Sequence, residues 1–265
     1  MPDFINVPHL PEAPVTLAAV RDLPEITAAL HALGVRTVSP SRCPALPEET
    51  AEHADMLLCH TGGNVCFVAP EQTALAQRLQ AEGFNVRATA PPGGAYPEDV
   101  RLNVAVGNGF ALGLSGSIDK DLAAYLHETG RPLIPVRQGY AKCSLCVITE
   151  NAFVTEDPSI ARALERRGAE VLRIAPGDVY LSERHHGFFG GASGKIARDK
   201  LAVTGSLTFH RNGDRIRAFA ADHGVTIVEL TDGRIMDIGG ILPLKERVLR
   251  TQSSVVSRQK LTITE

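Results

Sequence analysis

Tryptophan is absent from this sequence, and aromatic residues of all kinds make up only 5% of it. That scarcity disfavours a stacking platform for nucleic-acid bases. There is no basic stripe either. The 27 Lys and Arg are scattered, face 30 Asp and Glu, and leave a net charge of −3. Nucleic acid is therefore not an expected partner. No apolar run approaches the ~20 residues a membrane helix needs. The opening stretch MPDFINVPHLPEAPVTLAAV lacks a basic n-region and a long apolar h-region, so neither a signal peptide nor a membrane partner is expected. The expected location is the cytoplasm. Cysteines number five, an odd count, and without an export signal free thiols are expected rather than a disulfide framework.

What the sequence does contain is a repeated unit. With 44% hydrophobic residues over 265 positions there is material for a sizeable core. A helix-patterned run, a glycine and a short apolar strand recur in ITAALHALGVRTVSP, LAQRLQAEGFNVRATAP, LAAYLHETGRPLIPV, IARALERRGAEVLRIAP and IRAFAADHGVTIVEL. Gly34, Gly83, Gly130, Gly168 and Gly224 stand where a helix C-terminus needs a left-handed residue. Ahead of the helices, LLCHTGGNVCFVAP, VAVGNGFALGL and CVITENAFVTED each place an Asn between two strand-like segments. Asn64, Asn108 and Asn151 suit tight hairpins because Asn tolerates positive φ. A fourth copy, GFFGGASGKIARDKLAVTGSL, reads as a longer turn around Asp199. A fifth strand, RIMDIGGILPL, has no helix after it; the helix it lacks is the one expected over 24–33. Each unit is thus strand, turn, strand, helix, glycine, strand. The last unit is completed by the first stretch of chain, as in a ring of repeats with few exposed sheet edges. The expected organisation is one domain over 1–249 and a polar tail or edge segment over 250–265.

Five αββ-type modules about an axis resemble the pentein, or α/β-propeller, fold. HADMLLCHTGGN, QGYAKCSLCVITENAFVTED, GFFGGASG, TGSLTFHRNGD and DGRIMDIGGILPL carry the resemblance across most of residues 50–245. They look similar to an uncharacterised bacterial family with a guanidino-modifying-enzyme-like fold. The resemblance implies an α/β five-module pseudo-fivefold propeller. In its enzymes a Cys thiolate attacks a guanidinium carbon, a His acts as acid and base, and carboxylates hold the cation. His53-Ala-Asp55 resembles their H-x-D element, and Gly62-Gly63-Asn64 their G-G-D turn. Their nucleophile lies in the last repeat, whereas residues 147–265 here contain no cysteine. A non-enzymatic ribosomal anti-association factor shares the fold.

The chemical candidates follow from residue type and place. Cys143 and Cys146 are the candidate nucleophiles. On one extended strand an interval of three points them to opposite faces. Aligning the units on their turn asparagines puts Cys59, Asn103 and Cys146 in one polar column, and Met56, Val100 and Cys143 in a more apolar one. His60 and the pair His185-His186 precede glycine-bearing turns and are candidate general bases. Asp55, Glu150 and Asp237 are candidate carboxylates for a cationic ligand, with Asn64 and Asn103 as further binding residues. The leading expectation is a Cys-dependent hydrolase or transferase of an amidino or guanidino small molecule, with no metal and no cofactor. A non-catalytic binding or scaffold protein is the second reading. The third is a zinc-binding variant through Cys143 and Cys146, with His185 and His186 as further ligands.

Overall fold

The computed structural model describes residues 3–248; the expected tail over 250–265 lies outside the described residues. The chain opens with β1 (Asp3–Phe4), β2 (Val15–Ala19), α1 (Pro24–Ala32) and β3 (Arg36–Val38). Four copies of one unit follow. The first comprises a short helix α2 (Ala54–Leu57), β4 (Leu58–His60), β5 (Val65–Val68), α3 (Thr73–Ala81) and β6 (Asn85–Ala88). The second comprises β7 (Ala105–Gly107), β8 (Phe110–Leu114), α4 (Lys120–Glu128) and β9 (Leu133–Val136). The third comprises β10 (Leu145–Thr149), β11 (Ala152–Thr155), α5 (Pro158–Glu165) and β12 (Glu170–Arg173), and the fourth β13 (Ser193–Ala197), β14 (Lys200–Val203), α6 (Gly213–Asp222) and β15 (Thr226–Glu229). β16 (Leu242–Glu246) comes last.

In each copy the first strand pairs antiparallel with the second, and the second parallel with the third, across the helix. The fifth sheet has the same pattern with parts from both ends of the chain. β16 pairs antiparallel with β2, β2 parallel with β3, and β1 adds to the far side of β16. The N- and C-terminal segments thus share one module, as the unpaired fifth strand implied.

The helix ends explain why the repeat is legible. Gly34, Gly83, Gly130, Gly168 and Gly224 have φ of 81°, 91°, 76°, 83° and 71°. In every case the residue after the glycine donates its N–H five residues back, as Val35 does to Leu30 and Ala169 to Leu164. This is the Schellman arrangement, and it turns the chain directly into the third strand. At the other end, Asp119 and Asp157 accept two backbone N–H groups each at the starts of α4 and α5, a cap worth about 1 kcal/mol.

The turns differ from expectation. Asn64, Asn108 and Asn151 do lie between first and second strands, but none has positive φ; Gly63 (60°) and Gly109 (72°) carry it instead. Glycine adopts that region without a Cβ clash, so a neighbouring Asn is not forced into it. The turn at Asp199 is short, not long: only Arg198 and Asp199 separate β13 from β14.

Five apolar clusters lie between the sheets. One joins the first and second copies (Phe67, Leu122), one the second and third (Leu112, Ile160), and one the third and fourth (Val154, Leu201). The other two join the shared module to the fourth copy (Val15, Ile196) and to the first (Leu17, Leu79). Every sheet therefore packs on two neighbours. Each fully buried Leu or Phe contributes roughly 1.5–3 kcal/mol through its removal from water. Among the described residues, no helix is long and apolar enough to cross a membrane.

Candidate active site

The segments that lead into the five first strands meet one another. Asp55 N–H donates to Gly239 O, and Asn103 Nδ2 to Met56 Sδ. The backbone N–H groups of Lys142 and Cys143 both donate to Asn103 Oδ1, at 2.8 and 3.3 Å. Gly191 N–H donates to Cys143 O, and Gly191 O accepts from Ile238 and Gly240. Each segment is thus tied to two others, and residues nearly 200 positions apart become neighbours. The glycines permit this approach. A Cβ on Gly191 would overlap the Asp237 carboxylate, and one on Gly239 would overlap His53.

Four chemically active side chains sit at this meeting point. Cys143 donates its thiol proton to Asp55 Oδ2 over 2.9 Å and accepts from Asn103 Nδ2 at 3.2 Å. Ligating atoms of His53, Asp55 and Cys143 all lie within 4.8 Å of one another. His53 Nδ1 faces Asp237 Oδ1 at 3.7 Å. Asp237 is held by the N–H groups of Phe188 and Gly239 at 2.9 and 3.0 Å. Lys142 Nζ lies 4.0 Å from Asp55 Oδ2 and donates to Gly190 O. His53, Asp55, Cys143 and Asp237 are each at most 2% exposed. Yet both ring nitrogens of His53 and Oδ1 of Asp55 have no hydrogen-bond partner among the described residues. Unsatisfied polar atoms this deep cost roughly 1–3 kcal/mol each, so each calls for a water, an ion or a ligand beside it.

Burial pushes the Cys143 thiol well above its usual pKa; the charges of Asp55 and Asp237 add to this, and Lys142 opposes it. Burial likewise raises the Asp237 carboxyl, against the pull of His53. The thiol is therefore protonated near neutral pH, and anything positive placed beside it favours the thiolate.

A cavity of about 460 Å³ adjoins the cluster. His53, Cys143 and Asp237 line its buried end, Tyr140 and Phe188 its walls, and half-buried Glu49 with exposed Arg184, His185 and His186 its rim. Tyr140 and Phe188 lie 6.3 Å apart at an interplanar angle of 31°. The Tyr140 hydroxyl donates to buried Asp99 at 2.6 Å, which fixes the ring. Aromatic walls above carboxylates suit a flat cation.

Of the residues singled out from sequence, Cys143, Asp55, Asn103 and Asp237 converge here, and His185 and His186 reach the rim. Cys146 does not: it lies on β10 inside the apolar cluster between the third and fourth copies. Cys143 precedes β10, in a turn closed by Ser144 N–H to Tyr140 O, so the two thiols separate for a different reason than strand parity. Cys146 is absent from the group of clustered ligand atoms, which removes the Cys143/Cys146 zinc reading. Asn64 and Glu150 lie exposed in hairpin turns. The alignment on turn asparagines misplaced Asn103. β7 begins three residues before Asn108, whereas β4 and β10 begin six before Asn64 and Asn151. Counted from the strand starts, Asn103 shares the Cys143 column and touches its sulfur. His53 was visible only as part of the H-x-D fragment; Tyr140 and Lys142 had no sequence signal beyond their nearness to Cys143.

His60 lies at the far end of β4, with Nε2 2.9 Å from Gly63 O and its ring edge-on to Phe84. Burial lowers its pKa to about 4. Between that value and the unfolded value of about 6.5 the unfolded chain binds the extra proton, so stability falls as pH drops through this window, by about 3 kcal/mol in all. Urea unfolding at about pH 7 and about pH 5 checks this: His60→Gln should show the smaller loss. Equal losses in the two proteins would remove the assignment.

Several solved structures share this architecture. An inosamine-phosphate amidinotransferase from Streptomyces griseus matches with a TM-score of 0.54 and 13% identity, over 86% of this chain and 91% of that one. An amidinotransferase of the saxitoxin pathway from Microseira wollei matches at 0.55 and 8%, over 85% and 91%. An agmatine deiminase from C. jejuni matches at 0.54 and 10%, over 86% and 90%. At such identities the likeness is one of fold, and the fold is the five-module pentein type. No curated protein matches the sequence. A family model described as a family of unknown function, DUF6873, matches residues 20–242.

Proposed function

The chain belongs to DUF6873, and from that footing we propose that it is a thiol-dependent enzyme acting on a small amidino- or guanidino-bearing molecule, as hydrolase or transferase. The observation that carries this reading is the group formed by the Cys143 thiol, His53 imidazole and Asp55 carboxylate, within 4.8 Å of one another. Asp237 adds a second carboxylate beside His53. The amidinotransferases and the deiminase with the same fold act on such groups by name, which supports the substrate class.

The amidinium binds between Asp55 and Asp237 and below the Tyr140 and Phe188 rings. Its charge offsets the two carboxylates and lowers the thiol pKa. The thiol proton passes to Asp55 Oδ2, already its acceptor. The sulfur bonds to the amidino carbon, and the leaving amine takes a proton from His53. Water or an acceptor amine, giving its proton to His53, then attacks the S-bound carbon, and the C–S bond breaks as sulfur leaves. Asp237, beside the ring, steadies His53 while it is positive, before the first of these transfers and after the second, and Asp55 returns its proton to the departing sulfur. The place of the cysteine in chain order is immaterial, because every module leads into the same centre. A thiol from the third copy reaches it as well as one from the last.

One observation favours a second reading, a non-catalytic binding protein: the thiol is 2% exposed and donates to a carboxylate, and its burial pushes its pKa up. A single experiment separates the two. The cationic alkylator 2-chloroacetamidine, applied in chelator, should modify Cys143 at least about tenfold faster than neutral 2-chloroacetamide, read by mass spectrometry. Equal rates, or modification only elsewhere, would overturn the enzymatic reading.

A further inference from the structure

We infer that His53, Asp55 and Cys143 form a site for one thiophilic divalent cation of the Zn2+ class, held in the place the amidinium would take. The inference uses the residues of the proposed enzymatic reading but not its reaction. Imidazole nitrogen, carboxylate oxygen and sulfur are a ligand set for such a cation, whereas Mg2+ and Ca2+ prefer oxygen alone. Zn2+ ligands at about 2.0–2.3 Å lie roughly 3.3–3.8 Å apart. Atoms within 4.8 Å of one another therefore need only a small contraction.

A second, independent observation points the same way. His53 and Asp55 are each 1% exposed, yet both His53 nitrogens and Asp55 Oδ1 have no hydrogen-bond partner among the described residues. A cation satisfies one nitrogen and this oxygen at once. Asp237 Oδ1 lies 3.7 Å from His53 Nδ1, so a small shift of the ring lets it accept the Nδ1–H once a metal holds the other nitrogen. Lys142 sits at Asp55 Oδ2, 4.0 Å away, and leaves Oδ1 open. The formal charges close as well: one thiolate, two carboxylates and one ammonium sum to the negative of a divalent cation. The thiol proton leaves to solvent as the metal–sulfur bond forms. The adjoining cavity has room for the water that completes four-coordination.

Cobalt(II) is the probe, because its bond to sulfur gives a charge-transfer band in the near ultraviolet. Titrated into chelator-treated protein, Co2+ should produce that band with one equivalent, and Zn2+ should bleach it. Cys143→Ser should weaken Co2+ binding by at least about 100-fold and abolish the band, while Cys146→Ala retains both. Because Cys143→Ser alters a buried position, the wild-type protein supplies an independent arm: Zn2+, but not Mg2+, should protect Cys143 from iodoacetamide. Absence of the band, its survival in Cys143→Ser, or unprotected labelling with Zn2+ present would each overturn the inference. The chelator-treated amidine labelling above fails only if the thiol chemistry is wrong, so the two failures are distinguishable.

Discussion

Cys143→Ser is expected to lower turnover of the amidino substrate by about 10⁴-fold or more, because removing a covalent nucleophile removes the route rather than one contact. Serine keeps the size of the side chain and a donor for Asp55 Oδ2, so the hydrogen-bonded centre persists. The hydroxyl, however, is far harder to deprotonate than a thiol, even beside a bound cation. Cys146→Ala is the matched control: Cys146 packs in the apolar cluster around Val154 and Leu201, away from the cavity. The measurement is release of ureido product or free amine from a panel of amidino compounds, with labelling of Cys143 as a parallel readout. If Cys143→Ser turns over normally, or Cys146→Ala does not, the nucleophile has been assigned wrongly.

Asp237→Asn is expected to lower kcat/KM by about 100-fold or more and to destabilise the protein by about 1–3 kcal/mol. The two effects share one cause. The carboxylate accepts from the Phe188 and Gly239 N–H groups, one on each oxygen. An amide has only one acceptor oxygen, so its NH2 would be set against a buried N–H donor. His53 simultaneously loses its charged neighbour, and a bound cation loses one of its two carboxylates. Glutamate is no remedy, since Gly187 and Gly191 already crowd the Asp237 side chain. The test is a urea unfolding midpoint together with steady-state kinetics. A variant as stable and as active as wild type would show that Asp237 neither holds the loop nor serves the site.

The candidate site was partly legible. Asp55 stood out through the H-x-D fragment, Cys143 through its spacing from Cys146, and Asp237 as a carboxylate before the glycine pair Gly239-Gly240. Choosing Cys143 over Cys146 required knowing where β10 begins. The chain makes a turn at 141–144 before entering the strand at Leu145, so Cys143 stays at the centre ahead of the strand while Cys146 lies on it, packed between two sheets. Asn103 was named but placed in the wrong column, because β7 is shorter than β10. His60 does not reach the cluster for a related reason. It precedes a glycine turn as expected, but at the opposite end of β4 from Asp55, where Phe84 covers it.

The repeat itself was determined by local sequence. Helix, left-handed glycine and third strand lie within some fifteen residues, the hydrogen bonds that close the helix end reach back only five positions, and those of the third strand reach only the second strand of the same unit. The pattern survives any uncertainty about distant contacts, and even the sharing of one module by the two chain ends followed from counting strands against helices. Which side chains become neighbours was decided only by the tertiary structure. His53, Asn103, Cys143, Gly191 and Asp237 are brought together by packing between sheets, and hydrophobic packing is non-directional. It draws the modules together without announcing, in any one segment, which polar group will meet which.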